Sequence, residues 1–214
     1  MGNDLSRKFQ PAQGLTAIVF IGTISSLAVL FPEQRDTILP RLVSFGHLTC
    51  ISAWFGIQFW VTFVAGLTKM KLLPRHYFGL VQSHLFPKAF LYGTGFTLAA
   101  LGTFFIKNPL DTWQYDEKVK ATALLVNLGA SLINLLFAIP KMNGFMTQEH
   151  KFEKEHGHGE EIGPITDPKL LNNPQYKVLR KNFFIYHGIA TSLNLLAFAA
   201  CGVYFWYLSK DIKV

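Results

Sequence analysis

The sequence predicts an all-α, polytopic transmembrane helix bundle: a four-helix core preceded by one N-terminal span. Three observations carry this. Half of the 214 residues are hydrophobic, and only 15% are charged. The charges cluster, leaving five stretches free of Asp, Glu, Lys and Arg at 14–31, 42–67, 89–106, 121–139 and 183–208. Those stretches run from 18 to 26 residues, and about 20 apolar residues in a helix cross the roughly 30 Å of bilayer hydrocarbon. Transmembrane strands are excluded, because they are shorter and alternate in polarity. The composition also excludes a disordered chain and, with two cysteines, a disulfide framework. A net charge of +7 fits basic loops facing anionic lipid, so the expected partners are membrane lipids and other membrane proteins, with no nucleic acid.

Taken in order, residues 1–35 form an extension holding the first span. Its start, Met1-Gly2-Asn3-Asp4-Leu5-Ser6, fits the pattern for myristoylation of Gly2, and Arg7 and Lys8 follow. The apolar run exceeds a signal-peptide core, so the segment is expected to be retained. Residues 36–208 form the main domain. Within it, 140–182 is a long polar excursion with some helix before Gly157 and irregular chain after it. Residues 209–214 are a short tail. With the N-terminus inside, 13 Lys and Arg fall in inner segments and 7 in outer ones, which predicts a cytoplasmic N-terminus and an outside or lumenal C-terminus. A plasma-membrane or secretory-pathway location is expected.

Polar residues inside spans are costly in lipid and turn toward the bundle interior. Helical spacing sorts them into stripes: His47, Trp54 and Gln58; Asn127, Ser131 and Asn134; His187, Thr191, Asn194 and Cys201. Gly95, Ala99 and Gly102 give the remaining core span a small-residue stripe for close approach. His47 lies near the outer end of its span and His187 near the inner end of its own, so they are roughly 20 to 30 Å apart and share no haem or metal. No cofactor is expected. Two sparser groupings compete with plain structural roles. Cys50, Cys201 and His47 share a depth that admits a soft-metal site, against a reading of buried Cys as small hydrophobes. His150, His156, His158, Glu160 and Glu161 could gather a metal, against a solvated charged loop.

Three segments carry a resemblance: His47 with SAWFGIQFWVTFVAG (52–66), LPRHYFGLVQSHLFP (73–87) and YKVLRKNFFIYHG (176–188). With these, the chain resembles the transmembrane protein 205 family over roughly residues 36–208. The resemblance implies a small four-span membrane protein and no particular reaction, and residues 1–35 add a span that the family core lacks. The second segment, between Pro74 and Pro87 with Arg75 and His76 at its start, is suited to a short helix lying in the membrane interface.

The leading functional reading is a non-enzymatic scaffold or accessory subunit of a membrane protein assembly, its polar stripes serving as interhelical glue. The alternative is a transporter or channel-like protein that passes a small solute or metal ion along the polar axis. A metal or redox enzyme ranks third.

Overall fold

The computed structural model describes residues 35–211, so the expected N-terminal span, Gly2 and the tail after Asp211 lie outside the described residues. The chain divides into two units, whose described parts are residues 35–46 and 47–211. The first is the opening of helix α1 (Arg35–Phe59), where Ser44 Oγ donates to Pro40 O at 2.9 Å. In the second, α1 passes through a π-helical stretch (Trp60–Ala65) into α2 (Gly66–Leu72). Helix α3 (Arg75–Lys107) and a 3-10 turn (Leu110–Thr112) follow. Helix α4 (Tyr115–Ile133) runs through another π-helical stretch (Asn134–Ala138) into α5 (Ile139–Glu155). Short α6 (Pro168–Asn172) precedes α7 (Pro174–Ser209).

Four of these rods are long and apolar enough to cross a membrane: Ile38–Leu72, Arg75–Lys107, Tyr115–Glu155 and Pro174–Ser209. Each contains one charge-free stretch of the predicted core and extends beyond it, because hydrophobic length marks where a helix meets lipid and not where its backbone hydrogen bonds stop. The described residues form an all-α polytopic bundle. Its two ends differ. One, the loop end, carries 73–88 and the excursion after Pro140. The other, the tail end, carries 107–120 and the last turn of α7.

The excursion is more ordered than expected. Helix α5 continues to Glu155, and the irregular chain is confined to 156–167. Asp167 and Asn173 accept hydrogen bonds from the backbone N–H of Lys169 (2.9 Å) and Gln175 (2.9 Å), starting α6 and α7 as N-caps do.

The expected interfacial helix between Pro74 and Pro87 is instead the first part of α3, which runs through Pro87 without ending. Proline removes the N–H that would bond the carbonyl four residues earlier, here Ser83 O. Asn143 Nδ2 donates to that carbonyl at 3.2 Å. A side chain from α5 thus fills the gap in the ladder of α3, and no break is needed.

The small-residue stripe is also corrected. Gly95, Ala99 and Gly102 are exposed, and among the described residues nothing lies within 4 Å of where a Cβ on Gly95 or Gly102 would sit. The buried face of α3 is Phe90, Gly93, Thr97, Ala100 and Phe104. A Cβ added to Gly93 would collide with the Trp54 indole, so Gly93 is the glycine that close packing requires. Small size alone sets no direction, because glycine and alanine cost little when they face lipid. The hydrogen bond of Thr97 and the Trp54 ring choose the face.

Candidate functional site

The polar stripes meet in layers, and the layers differ in how completely their hydrogen bonds are made. Near the tail end, His47 is buried between Thr103 and Tyr204. The Thr103 hydroxyl donates to the carbonyls of Ala99 (2.8 Å) and Ala100 (2.9 Å), so its oxygen accepts from His47 Nδ1–H at 2.8 Å. His47 Nε2 then accepts from the Tyr204 hydroxyl. Both ring nitrogens are used, and one tautomer is fixed.

The next layer centres on Asn127, which is fully buried. Its Oδ1 accepts from Trp54 Nε1 (2.9 Å) and Thr97 Oγ1 (3.0 Å). Its Nδ2 donates to Ala197 O (2.8 Å) and Cys201 Sγ (2.9 Å). This saturated amide ties three helices and the Trp54 ring together. It also answers the soft-metal grouping: Cys201 accepts from Asn127, His47 has spent both nitrogens elsewhere, and Cys50 is a free, half-buried thiol packed on the core.

Toward the loop end the pattern changes. Gln58 is 2% exposed, and its Nε2 makes long hydrogen bonds to Asn194 O (3.5 Å) and Oδ1 (3.4 Å), while its Oε1 has no partner among the described residues. Asn194 Nδ2 donates to Thr62 Oγ1 at 2.7 Å. Buried Asn134 donates to Ala190 O at 3.1 Å, and its Oδ1 is likewise unpartnered. An orphaned buried acceptor costs about 1 to 3 kcal/mol.

Below Gln58 lies a cavity of about 310 Å³. Its walls are mostly apolar, with Trp54, Phe78, Phe86, Phe90 and Met142 among them, and Gln58, Gln82, Thr62 and Asn194 supply the polar points. His187, Thr191, Leu67 and Met70 line it yet are themselves exposed, so it opens sideways between the first and last described spans. His187 stacks on Phe183 at the rim. Helix irregularities gather around this cavity. The π-helical stretch of the first described span supplies Val61 and Thr62, the stretch starting at Asn134 runs up to Ile139, and Pro87 follows Phe86. Such bulges redirect side chains that a straight helix would send elsewhere.

At the loop end itself, the charges form a network that the sequence stripes did not reveal. Arg75 reaches Glu149 Oε1 (2.9 Å) and both oxygens of Glu153 (2.8 and 3.0 Å). Tyr176 donates to Glu153 at 2.7 Å and receives Arg180 Nη1 at 2.9 Å, and His76 Nε2 reaches Glu153 Oε2 at 2.8 Å. Glu149 and Glu153 are 1% and 0% exposed. A signal existed: Met142, Met146, Glu149 and Glu153 are spaced i, i+4, i+7 and i+11, the period of one helical face.

The histidine grouping weighed against a solvated loop in the excursion is not assembled among the described residues. His156 Nδ1 donates to Phe152 O (2.8 Å), while His158 lies between Glu161 (3.0 Å) and Asp167 (3.3 Å). The hydrogen bond to Asp167 raises the His158 pKa above its ordinary value, and the Lys169 backbone N–H lowers that of Asp167. The loop backbone caps α3, whose Arg75 and His76 N–H groups donate to Glu161 O (2.9 Å) and Gly159 O (3.0 Å).

Comparison with known proteins agrees with this architecture. Residues 49–151 match a family model described as a domain of unknown function, DUF4149. Transmembrane protein 205 of Danio rerio is 31% identical over 171 residues, covering 78% of this chain and 91% of that relative. No solved structure matches the chain. With four membrane-length helices among the described residues and that relative matched over nearly its whole length, the chain belongs to the transmembrane protein 205 family and is a multi-pass integral membrane protein.

Proposed function

We propose that this protein is a membrane-embedded binding protein rather than an enzyme. It takes up a molecule dissolved in the bilayer, apolar along most of its length and carrying a hydrogen-bond donor at one end. The observation that carries this reading is the unpartnered Gln58 Oε1, buried at the head of a laterally open apolar cavity. A donor on the ligand would satisfy that acceptor, and the walls would bury the apolar part. This stands nearer the transporter expectation than the scaffold one. It is a pocket and not a pore, because the saturated Asn127 and His47 layers fill the axis above it. An accessory role in a membrane assembly draws support from those same layers, which hold the bundle as a fixed unit.

Orientation completes the reading. The 13 to 7 distribution of basic residues supports a cytosolic loop end, with myristoylation of Gly2 on the same side and residence in the plasma membrane or secretory pathway.

The test uses a photoactivatable fatty alcohol, a diazirine-bearing alkyl chain with a terminal hydroxyl, on the full chain in lipid vesicles. Labelling is expected on the peptides holding 61–70 and 187–194, competed by unlabelled fatty alcohol and reduced several-fold by Gln58→Leu. Labelling spread over outward residues such as Leu136 and Trp206, unaffected by that substitution, would overturn it.

A further inference from the structure

Outside the pocket, three side chains from two helices converge at the loop end. We propose that His76, His150 and Glu153 bind one divalent transition-metal ion of the zinc class, joining α3 to α5. One ligand atom from each lies within 4.8 Å of the others. The two imidazoles stack with centroids 4.3 Å apart.

The backbone around them is cut away to seat the rings. A Cβ on Gly79 would strike His150, and a Cβ on Gly159 would strike His76. Gly159 also has φ +122, a conformation that side-chain-bearing residues rarely adopt. Two glycines on separate segments thus leave room for one imidazole each. The His150 ring has no hydrogen bond among the described residues, and its stacking on His76 is the contact that the clearance at Gly79 serves.

The donor set suits the ion. Two imidazole nitrogens and a carboxylate oxygen form a common zinc triad that leaves a fourth position for water or another ligand. Metal–ligand distances of about 2.0 Å put tetrahedral ligands roughly 3.3 Å apart. His76 Nε2 and Glu153 Oε2, now 2.8 Å apart, need a small separation to admit the ion in place of a shared proton. The outer shell is already present. Arg75 and Tyr176 hold Glu153 Oε1 at 2.8 and 2.7 Å, and Arg75 Nε also reaches Oε2 at 3.0 Å, which fixes the carboxylate with Oε2 beside His76. The carboxylates of Glu149 and Glu153 are matched by Arg75 and Arg180, so the charge of an added dication calls for an anionic fourth ligand such as hydroxide.

The experiment titrates cobalt(II) into the untagged full chain in detergent after chelation. One ion per chain is expected, with the visible d–d absorption of a four-coordinate site, displaced by zinc. His76→Asn and His150→Asn should each lose the signal, while His156→Asn and His158→Asn keep it. Because a variant could fail for lack of folding, the wild type is also melted with and without zinc, and a higher Tm with zinc is expected. A folded wild type with no cobalt spectrum or no zinc-dependent Tm rise, or a spectrum that survives the His76→Asn/His150→Asn double variant, would overturn the proposal.

Discussion

The tail-end half of the bundle and the loop-end half use the same kinds of residue to opposite effect. Around His47 and Asn127, the donors and acceptors of both side chains have partners. Around Gln58 and Asn134, buried amide oxygens go without partners, helices bulge, and a cavity opens to one side. Polar residues in a membrane interior can be fasteners or lining. What separates the two roles here is satisfaction, not polarity: a fastener has spent its hydrogen bonds, and a lining residue has one to offer.

The strongest way to disturb this contrast acts below the pocket. Arg75→Met would leave buried Glu149 and Glu153 with Arg180 as their one arginine beside His76 and Tyr176, and the undercompensated charge should cost about 3 to 5 kcal/mol. Unfolding in detergent should show that loss, and Glu149→Gln with Glu153→Gln in the same chain should recover part of it. No recovery would mean that Arg75 acts by packing rather than by charge.

Asn127→Leu tests the fastened half. The substitution strands the Trp54 N–H and the Ala197 carbonyl contact, so a loss of about 2 to 3 kcal/mol is expected. Gln58-dependent labelling by the fatty alcohol should persist in the protein that remains folded. If labelling vanished together with Asn127, the two halves would not be separable.

A smaller effect concerns the loop that caps α3. The raised pKa of His158, due first to Asp167 and then to Glu161, means its ion pairs contribute fully below its ordinary value near 6.5 and fade as pH rises through the higher folded value. Amide exchange of residues 156–167, corrected for intrinsic rate, should show more opening at about pH 8.5 than at about pH 5.5. His158→Gln should flatten the difference; a wild-type loop equally protected at both values would contradict the assignment.

Much of the fold was legible because bilayer thickness imposes a length that charge-free stretches display directly. The four core spans follow from spacing alone, whereas the stripes drawn on them are only partly interior, since His187, Thr191, Gly95, Ala99 and Gly102 are exposed. Other features depended on partners distant in sequence. Pro87 reads as a helix stop until Asn143 is seen filling its missing bond. Gly95 and Gly102 read as a packing face until Trp54 is seen against Gly93. Glu149 and Glu153 read as solvated charges because charge outweighs periodicity in a polar segment, although their phase with Met142 and Met146 already marked the buried face. The cavity left no local trace, since an empty volume belongs to no residue.

The central claim is that Gln58 lines a site and does not fasten the bundle, and the unfolding free energy of Gln58→Leu tests it most directly. Leucine removes an orphaned acceptor and only two long hydrogen bonds, of 3.4 and 3.5 Å. The variant should therefore lie within about 1 kcal/mol of wild type, or be more stable, while losing the fatty-alcohol label. A loss of about 2 kcal/mol or more, matching that of Asn127→Leu, would make Gln58 another fastener and contradict the account.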